Sequence, residues 1–99
     1  MQYQRIVVPQ TGRKIQIRAD GSLEVPDQPL VGFIEGDGIG IDITPAMRRV
    51  VDAAVAKSYD GRRAICWTEL YAGAKANAQY GEWFPQETLA ALRDFVVSI

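Results

Sequence analysis

The chain has 99 residues, of which 47% are hydrophobic, so it is one small domain at most and too apolar to be disordered. With 11 basic and 12 acidic residues its net charge is −1, which gives no long-range field to attract nucleic acid or an anionic membrane. It contains no histidine, which excludes histidine-based catalytic triads and metal sites, and its one cysteine, Cys66, excludes an internal disulfide.

Targeting signals are not evident in the sequence. The N-terminal residues have no apolar segment typical of a signal peptide, and no stretch is apolar for long enough to span a bilayer. We therefore expect a cytoplasmic protein with no membrane and no nucleic-acid partner. Cys66 is expected to pack as a small hydrophobic residue, and the arginine pairs at 48–49 and 62–63 to be solvated on a helix face and a loop.

A β-hairpin is predicted over residues 14–25. Residues 15–19 and 23–25 alternate apolar and polar, and the pair Asp20-Gly21 between them is typical of a tight type I′ turn. Residues 6–8, just before Pro9, are a candidate for a short strand. Residues 25–29 are predicted to be a linker because their two prolines resist regular pairing.

Strands and helices are then predicted to alternate. Residues 30–34 are continuously apolar, which is typical of a strand buried on both faces of a parallel sheet. Thr44 as N-cap and Pro45 as the first helical residue predict the start of a helix, and Asp60-Gly61 predicts its end. Its predicted apolar stripe consists of Met47, Val50, Val51, Ala54 and Val55.

The second half repeats this alternation. Residues 64–71 are predicted to form a strand, and residues 73–80 a short helix that ends at Gly81. The next helix is predicted to start at residues 83–85, with Glu87 in its first turn, and residues 96–99 to begin a further strand. The apolar side of that helix is expected to be Leu89, Leu92 and Phe95 or Val96. The fold class is therefore α/β: an N-terminal β-hairpin, 14–25, followed by a βαβαβ part of a largely parallel sheet, 30–99.

The glycine-rich turn at residues 36–40 lies where α/β proteins place ligands, between a strand and a helix. It fails the dinucleotide fingerprint G-x-G-x-x-G because Ile41 occupies the position of the last glycine. The carboxylates of Glu35, Asp37 and Asp42 would repel a pyrophosphate and favour a cationic group, such as an oxidised nicotinamide ring or an arginine partner.

A purely structural interpretation of this turn stays open at this point. Asp37 and Gly38 would then only make a tight turn, Asp42 would cap the helix, and Glu35 would pair with an arginine. The acids match the spacing of no calcium loop, so no metal site is predicted within the chain.

Other candidates carry a weaker signal. Tyr71 and Lys75 follow a strand and are candidates to lie near a site, whereas Glu69 is expected to face solvent or pair with an arginine. The aromatic residues are expected to pack rather than to stack on a ligand; they are Trp67, Tyr71, Tyr80, Trp83 and Phe84.

Residues 29–47 closely resemble the N-terminal signature of the bacterial homodimeric NADP-dependent isocitrate dehydrogenases. The core Gly-Asp-Gly-Ile-Gly alone is shared with isopropylmalate dehydrogenases and related β-decarboxylating enzymes, but the hairpin and the segment 42–47 favour the isocitrate branch. The likeness continues through the segments 7–9, 12–15, 50–55, 67–73, 80–81, 83–85 and 87–89.

The resemblance implies a fold and an activity. The fold would be the non-Rossmann α/β fold of that family, with residues 1–99 as the N-terminal part of its large domain. The activity would be oxidative decarboxylation of isocitrate to 2-oxoglutarate in the tricarboxylic acid cycle, with NADP, Mg²⁺ or Mn²⁺, in a homodimer. Gly38, Ile39 and Gly40 match the segment near the nicotinamide end of the cofactor.

No catalytic or metal role is assigned to any residue here, because the family's reacting groups are expected beyond Ile99. The chain is therefore expected to be an N-terminal portion that is inactive alone, holds no cofactor tightly and folds marginally in isolation. Two alternatives stay open: a non-catalytic truncated product that binds full-length subunits through an unpaired sheet edge, or a fragment of a related NAD-dependent β-decarboxylating dehydrogenase.

Overall fold

The computed structural model describes residues 3–99 as an α/β arrangement of short strands and three helices. The α/β prediction is confirmed. In chain order the elements are β1 (Gln16–Ile17), β2 (Leu23–Glu24), β3 (Leu30–Ile34), α1 (Gly40–Tyr59), β4 (Cys66–Leu70), α2 (Ala74–Tyr80) and α3 (Gln86–Phe95). None of the described helices is both long and apolar enough to cross a membrane.

The strand β3 lies in the middle of a parallel arrangement, as its unbroken apolar run predicts. It pairs with β4 so that Leu30 lies opposite Cys66 and Ile34 opposite Leu70. On its other side residues 97–99 run parallel to it: the Ile99 N–H donates to the Gly32 carbonyl at 3.0 Å, and the Ile34 N–H to the Ile99 carbonyl at 2.8 Å. The strand predicted at 96–99 is thus reduced to a short ladder around one bridge.

The apolar core lies between α3 and the face of the sheet that carries Leu30 and Leu70. These two side chains pack with Ile6, Ala91 and Phe95, and all five are at most 8% exposed. Residues 6–8 do not form the strand considered above: Ile6 and Val8 pack on the core and Val7 is exposed, but no backbone hydrogen bond among the described residues joins the segment to a strand. On α3 the fully buried positions are Thr88, Ala91 and Phe95, whereas the predicted Leu89 and Leu92 are only half-buried.

The opposite face of the sheet is covered by α1 through polar and aromatic groups. The Phe33 and Trp67 rings pack edge to face with centroids 6.1 Å apart, and the Arg48 guanidinium lies 4.4 Å from the Phe33 centroid. The Trp67 Nε1–H donates to Asp52 at 2.8 Å. The expectation that Arg48 is simply solvated is therefore wrong.

The predicted apolar stripe of α1 is only partly correct. Met47, Val51 and Val55 are half-buried, but Val50 is 69% exposed and Ala54 is also exposed. The arginine and the tryptophan–aspartate hydrogen bond occupy the sheet face that a continuous aliphatic stripe would otherwise cover. Much of the helix surface consequently stays open among the described residues.

The helix α1 begins at Gly40, four residues before the predicted start at Thr44 and Pro45. The N–H groups of Asp42 and Ile43 both donate to the Ile39 carbonyl, at 2.9 and 3.1 Å, so the glycine turn itself winds into the first helical turn. Thr44 does not cap the helix, and Pro45 lies inside it. The helix ends as predicted, with the backbone of Asp60 left-handed at a φ of 52°.

The predicted hairpin is confirmed, but its turn is different. The strands β1 and β2 pair antiparallel, with Ile17 opposite Leu23. Of the two turn residues only Gly21 has a positive φ, at 87°, whereas a type I′ turn requires two. The Asp20 carboxylate accepts hydrogen bonds from the N–H and the hydroxyl of Ser22, at 2.9 and 2.6 Å, and these bonds hold a longer loop.

The remaining predictions concern small elements. The helix α2 ends at Gly81 and α3 carries Glu87 in its first turn, as predicted. Cys66 packs half-buried against the core as expected. The packing role predicted for the aromatic residues is wrong for Trp83 and Phe84, which are 62% and 50% exposed.

Candidate functional site

The candidate site lies at the carboxyl edge of the parallel sheet, where β3 ends at Ile34 and β4 at Leu70. The glycine turn, residues 36–40, follows the first strand, and residues 71–75 follow the second. Ligands of open α/β sheets bind outside this edge because loops from neighbouring strands converge there. The structure brings the two candidates Tyr71 and Lys75 together with the carboxylates of Glu35 and Glu69.

The glycine turn is closed on itself. Gly36 and Gly38 have φ values of 78° and 62°, and the Gly40 N–H donates to the Asp37 carbonyl at 3.2 Å. A Cβ on Gly40 would lie 1.9 Å from the Glu35 carbonyl oxygen. That same oxygen accepts a hydrogen bond from the Thr44 hydroxyl at 3.3 Å. The turn is therefore compact, and its last position has no room for a side chain.

Lys75 joins the two strand ends. Its Nζ lies 2.5 Å from Glu69 Oε2 and 3.1 Å from Glu35 Oε1, and 5.4 Å from the centre of the Tyr71 ring. The hydrogen bond to Glu69, followed by that to Glu35, raises the pKa of Lys75 against the opposing effect of partial burial. Burial, with the Glu69 charge next, raises the pKa of Tyr71. Both glutamates pair with this lysine, so the expected arginine partners are wrong.

The Asp37 carboxylate is bonded within the protein. Its Oδ1 accepts a hydrogen bond from the Ala74 N–H at 2.9 Å, at the beginning of α2. Gly73, with a φ of 85°, packs against this carboxylate, and a Cβ there would be 2.7 Å from Asp37 Oδ2. An acid at a helix N-terminus satisfies a free N–H and complements the helix dipole. Asp42 lies in the first turn of α1, but the N-cap position is Ile39, so Asp42 is not the capping residue considered above.

The three residues predicted near a cofactor are presented in different ways. Ile39 is 69% exposed at the start of α1. Gly38 faces open space, since a Cβ there would meet no atom within 4 Å, whereas Gly40 is packed against Glu35. The turn thus offers one exposed apolar side chain beside an open stretch of backbone.

The sequence interpretation missed the two contacts that hold this turn. It placed Lys75 near a site but did not pair it with Glu35 and Glu69, and it did not connect Asp37 to α2. The spacing was the available signal for this pairing: Lys75 follows Glu69 of the strand by six residues and lies just past the start of a helix. Within residues 3–99 no group of three or more aspartate, glutamate, cysteine or histidine side chains is arranged to hold a metal ion.

A shallow concavity of about 690 Å³ lies elsewhere, along α1. It is lined by Ala46, Arg49, Val50, Asp52 and Ala53. Its charged groups are Arg49 and Asp52, and Asp52 already accepts a hydrogen bond from Trp67, so size alone does not make it the candidate site. The strand edge remains the place where charged, apolar and backbone groups meet.

Comparison with known proteins decides the family. Residues 30–99, which include the whole glycine turn, match the family model for isocitrate/isopropylmalate dehydrogenase. The chain belongs to the isocitrate/isopropylmalate dehydrogenase family. The resemblance found in the sequence is therefore confirmed, and the α/β sheet with parallel β3 and β4 is consistent with an incomplete fold of this family.

Relatives within the isocitrate/isopropylmalate dehydrogenase family match along the whole chain. This chain is 60% identical over 101 residues to the NADP isocitrate dehydrogenase of Pseudomonas aeruginosa (strain UCBPP-PA14). That match covers 100% of this chain and 24% of that protein. It is 56% identical over 100 residues to NADP isocitrate dehydrogenase 1 of Psychrobacter sp. (strain 13A), with coverage of 100% and 24%. It is 57% identical over 99 residues to the NADP isocitrate dehydrogenase of Coxiella burnetii, and that match covers 98% of this chain and 23% of that protein. The chain thus spans less than a quarter of the length of these relatives.

Proposed function

We propose that this chain is the N-terminal portion of an NADP-dependent isocitrate dehydrogenase, which oxidises and decarboxylates isocitrate to 2-oxoglutarate in the tricarboxylic acid cycle. The observation that carries the proposal is the 60% identity to the Pseudomonas aeruginosa NADP isocitrate dehydrogenase along the entire chain. The use of Mg²⁺ or Mn²⁺, a homodimeric assembly and a cytoplasmic location belong to the same proposal for the whole enzyme.

The glycine turn is the part of this chain that we propose to contact NADP, at its nicotinamide end, through Gly38, Ile39 and Gly40. The exposed Ile39 side chain offers apolar contact to a ring, and the open backbone at Gly38 lets the ring approach. The acidic groups around the turn suit the positive charge of the oxidised nicotinamide and disfavour the phosphates, which would bind elsewhere. NADP, when bound, supplies the hydride acceptor.

The other groups of the site have supporting roles in this proposal. Lys75 offsets one of the two negative charges of Glu35 and Glu69, so the site stays net negative. Asp37 is bonded to the start of α2, and neither these glutamates nor Asp37 is free to act as an acid or base. We assign no catalytic residue and no metal ligand to this chain. Its proposed contribution is the scaffold and one side of the cofactor site.

The activity is tested in an enzyme of full family length that carries this chain at its N-terminus. We expect NADP⁺ reduction, followed by absorbance, that requires isocitrate. Two matched controls each change one component: 3-isopropylmalate replaces isocitrate in the first, and NAD⁺ replaces NADP⁺ in the second. Each is expected to give a much lower rate. A preference for 3-isopropylmalate, or no reduction with either substrate, would contradict the proposal.

The contact at Ile39 makes a prediction for the same enzyme. Ile39→Ala removes apolar surface from the proposed nicotinamide contact and is expected to raise the KM for NADP⁺ about five- to tenfold, which corresponds to roughly 1 kcal/mol of lost burial. Ile41→Ala is the matched control, because Ile41, two residues further along the chain, is 65% exposed and is not proposed to touch the cofactor. Equal effects of the two substitutions on the NADP⁺ KM would exclude a specific role for Ile39.

A further inference from the structure

The glycine turn is attached to α2 at two places. The Lys75 ammonium binds Glu35, the residue just before the turn, and the Ala74 N–H binds Asp37, inside the turn. Both donors belong to the first two residues of α2. The position of the turn relative to the sheet edge is therefore set by the start of a helix that follows the neighbouring strand.

The parallel register explains why a cation is needed at this place. Phe33 lies opposite Glu69, so Glu35, two residues further along the chain, lies on the same face and diagonal to Glu69. Two neighbouring carboxylates repel each other, and the Glu35 side chain is only 18% exposed, which reduces screening by water. Lys75 lies between the two and bonds to both.

We propose that Lys75 is a positioning residue, which holds the glycine turn against the end of β4 by bridging Glu35 to Glu69 and thereby sets where Ile39 is presented. The part of this inference that concerns NADP rests on the proposed function, and Lys75 itself does not touch the cofactor. The turn is compact, with Gly40 packed on the Glu35 carbonyl, so a displacement of Glu35 is transmitted to Ile39. An error of about 1 Å in such a contact is enough to lower affinity or rate substantially.

The test compares Lys75→Met with Lys75→Arg and with Lys57→Met in the full-length enzyme without ligand. Lys57 is an exposed lysine in the last turn of α1 and serves as the matched control. In Lys75→Met we expect amide hydrogen exchange in the peptide covering residues 35–43 to rise about tenfold, because the turn loses a tether. Lys75→Arg retains the charge and is expected to stay within about threefold of the wild type, and Lys57→Met to match it.

A second variant separates positioning from simple charge balance. Lys75→Met/Glu69→Gln removes the repulsion together with the bridge. If Lys75 only offset two negative charges, this double variant would restore both the melting temperature and the exchange of residues 35–43. With a positioning role, the melting temperature recovers while the exchange stays fast. In the active enzyme we expect Lys75→Met to raise the KM for NADP⁺ about tenfold and the double variant to keep it raised. The KM for isocitrate is expected to stay within about twofold of the wild type.

The outcomes are distinguishable from those of the proposed function. Unchanged exchange in Lys75→Met, or exchange restored in the double variant, overturns the positioning role whether or not the enzyme uses isocitrate. An unchanged KM for NADP⁺ in an active Lys75→Met enzyme overturns it as well. A wild-type enzyme without isocitrate-dependent NADP⁺ reduction contradicts only the proposed function, because the exchange measurement still decides the bridge.

Discussion

The two last glycines of the turn are constrained by different physical causes. Gly38 has a left-handed backbone, with a φ of 62°, but open space around it. Gly40 has helical backbone geometry, and its Cα is packed so closely on Glu35 that a Cβ would lie 1.9 Å from a carbonyl oxygen. Conformational preference governs the first position and steric exclusion the second.

This difference predicts unequal effects of the same substitution. Gly40→Ala is expected to lower the free energy of unfolding by about 2 to 3 kcal/mol, because a backbone atom must move and the small helical advantage of alanine does not offset that. Gly38→Ala, the matched control, is expected to cost only about 1 kcal/mol of backbone strain. Urea denaturation measures both. A cost for Gly40→Ala no larger than that for Gly38→Ala would contradict the close packing.

Among the elements, α1 is attached to the sheet by few contacts of high specificity. Arg48 stacks over Phe33 and lies 5.8 Å from the Trp67 centroid, and Asp52 accepts from the Trp67 indole. The adjacent Arg49 is exposed and lines the shallow concavity along α1. The two adjacent arginines therefore have the same chemistry but different surroundings, because Arg48 packs on aromatic rings and Arg49 is exposed.

The pair Arg48 and Arg49 gives a matched experiment on this attachment. Arg48→Ala is expected to lower the free energy of unfolding by about 1 to 2 kcal/mol, since it removes both the cation–π contact and the packing of the arginine stem. Arg49→Ala is expected to change it by less than about 0.5 kcal/mol. Urea titrations of the two variants side by side measure the difference, and equal values would show that the stacking is not stabilising.

An element can be predicted from the sequence when the interactions that form it join residues close together in the chain. The unbroken apolar run of β3, the hairpin and the left-handed residues that end α1 and α2 depend on neighbouring residues, and the sequence predicts them. The start of α1 depends on the close approach of Gly40 to Glu35, which no local cap residue encodes. The site is similar: the acidic turn is visible in the sequence, but its contacts with Lys75 and Ala74 join residues about 40 positions apart and appear only in the fold.

At the scale of the whole molecule, one carboxylate joins the two ends of the described chain. Asp94 of α3 accepts a 2.7 Å hydrogen bond from the Tyr3 hydroxyl and pairs with Lys14 at 2.5 Å. Partial burial alone would raise the pKa of Asp94, but the bonds from Lys14 and Tyr3 outweigh it and hold that pKa below its ordinary value of 3.8. The bond to Asp94 raises the pKa of Lys14 above its ordinary value of 10.5.

These shifts define the pH range in which this link stabilises the fold. The contribution of Asp94 is present above its unfolded pKa, near 3.8, and is lost as the pH falls through its lower folded pKa; that of Lys14 is complete below 10.5 and is lost as the pH rises through its higher folded pKa. We therefore expect Asp94→Asn to cost about 1 to 2 kcal/mol at pH 7, with the difference from the wild type shrinking below about pH 4.

Urea denaturation at pH 7 and at pH 3 measures this dependence. Asp27→Asn is the matched control, because the Asp27 side chain is 71% exposed and its pairing with Arg63 is expected to contribute less than about 0.5 kcal/mol. A destabilisation by Asp94→Asn that is the same at both pH values would show that the charge of Asp94 does not stabilise the fold.

The central position of β3 has a consequence for how the polypeptide is made. One neighbour of this strand is β4, and the other is residues 97–99, which leave the ribosome long after residues 30–34 have emerged. Throughout that interval the apolar segment 30–34 lacks a partner on at least one edge. Until residues 97–99 have been made, β3 cannot form the backbone hydrogen bonds that join Gly32 and Ile34 to this segment in the folded structure.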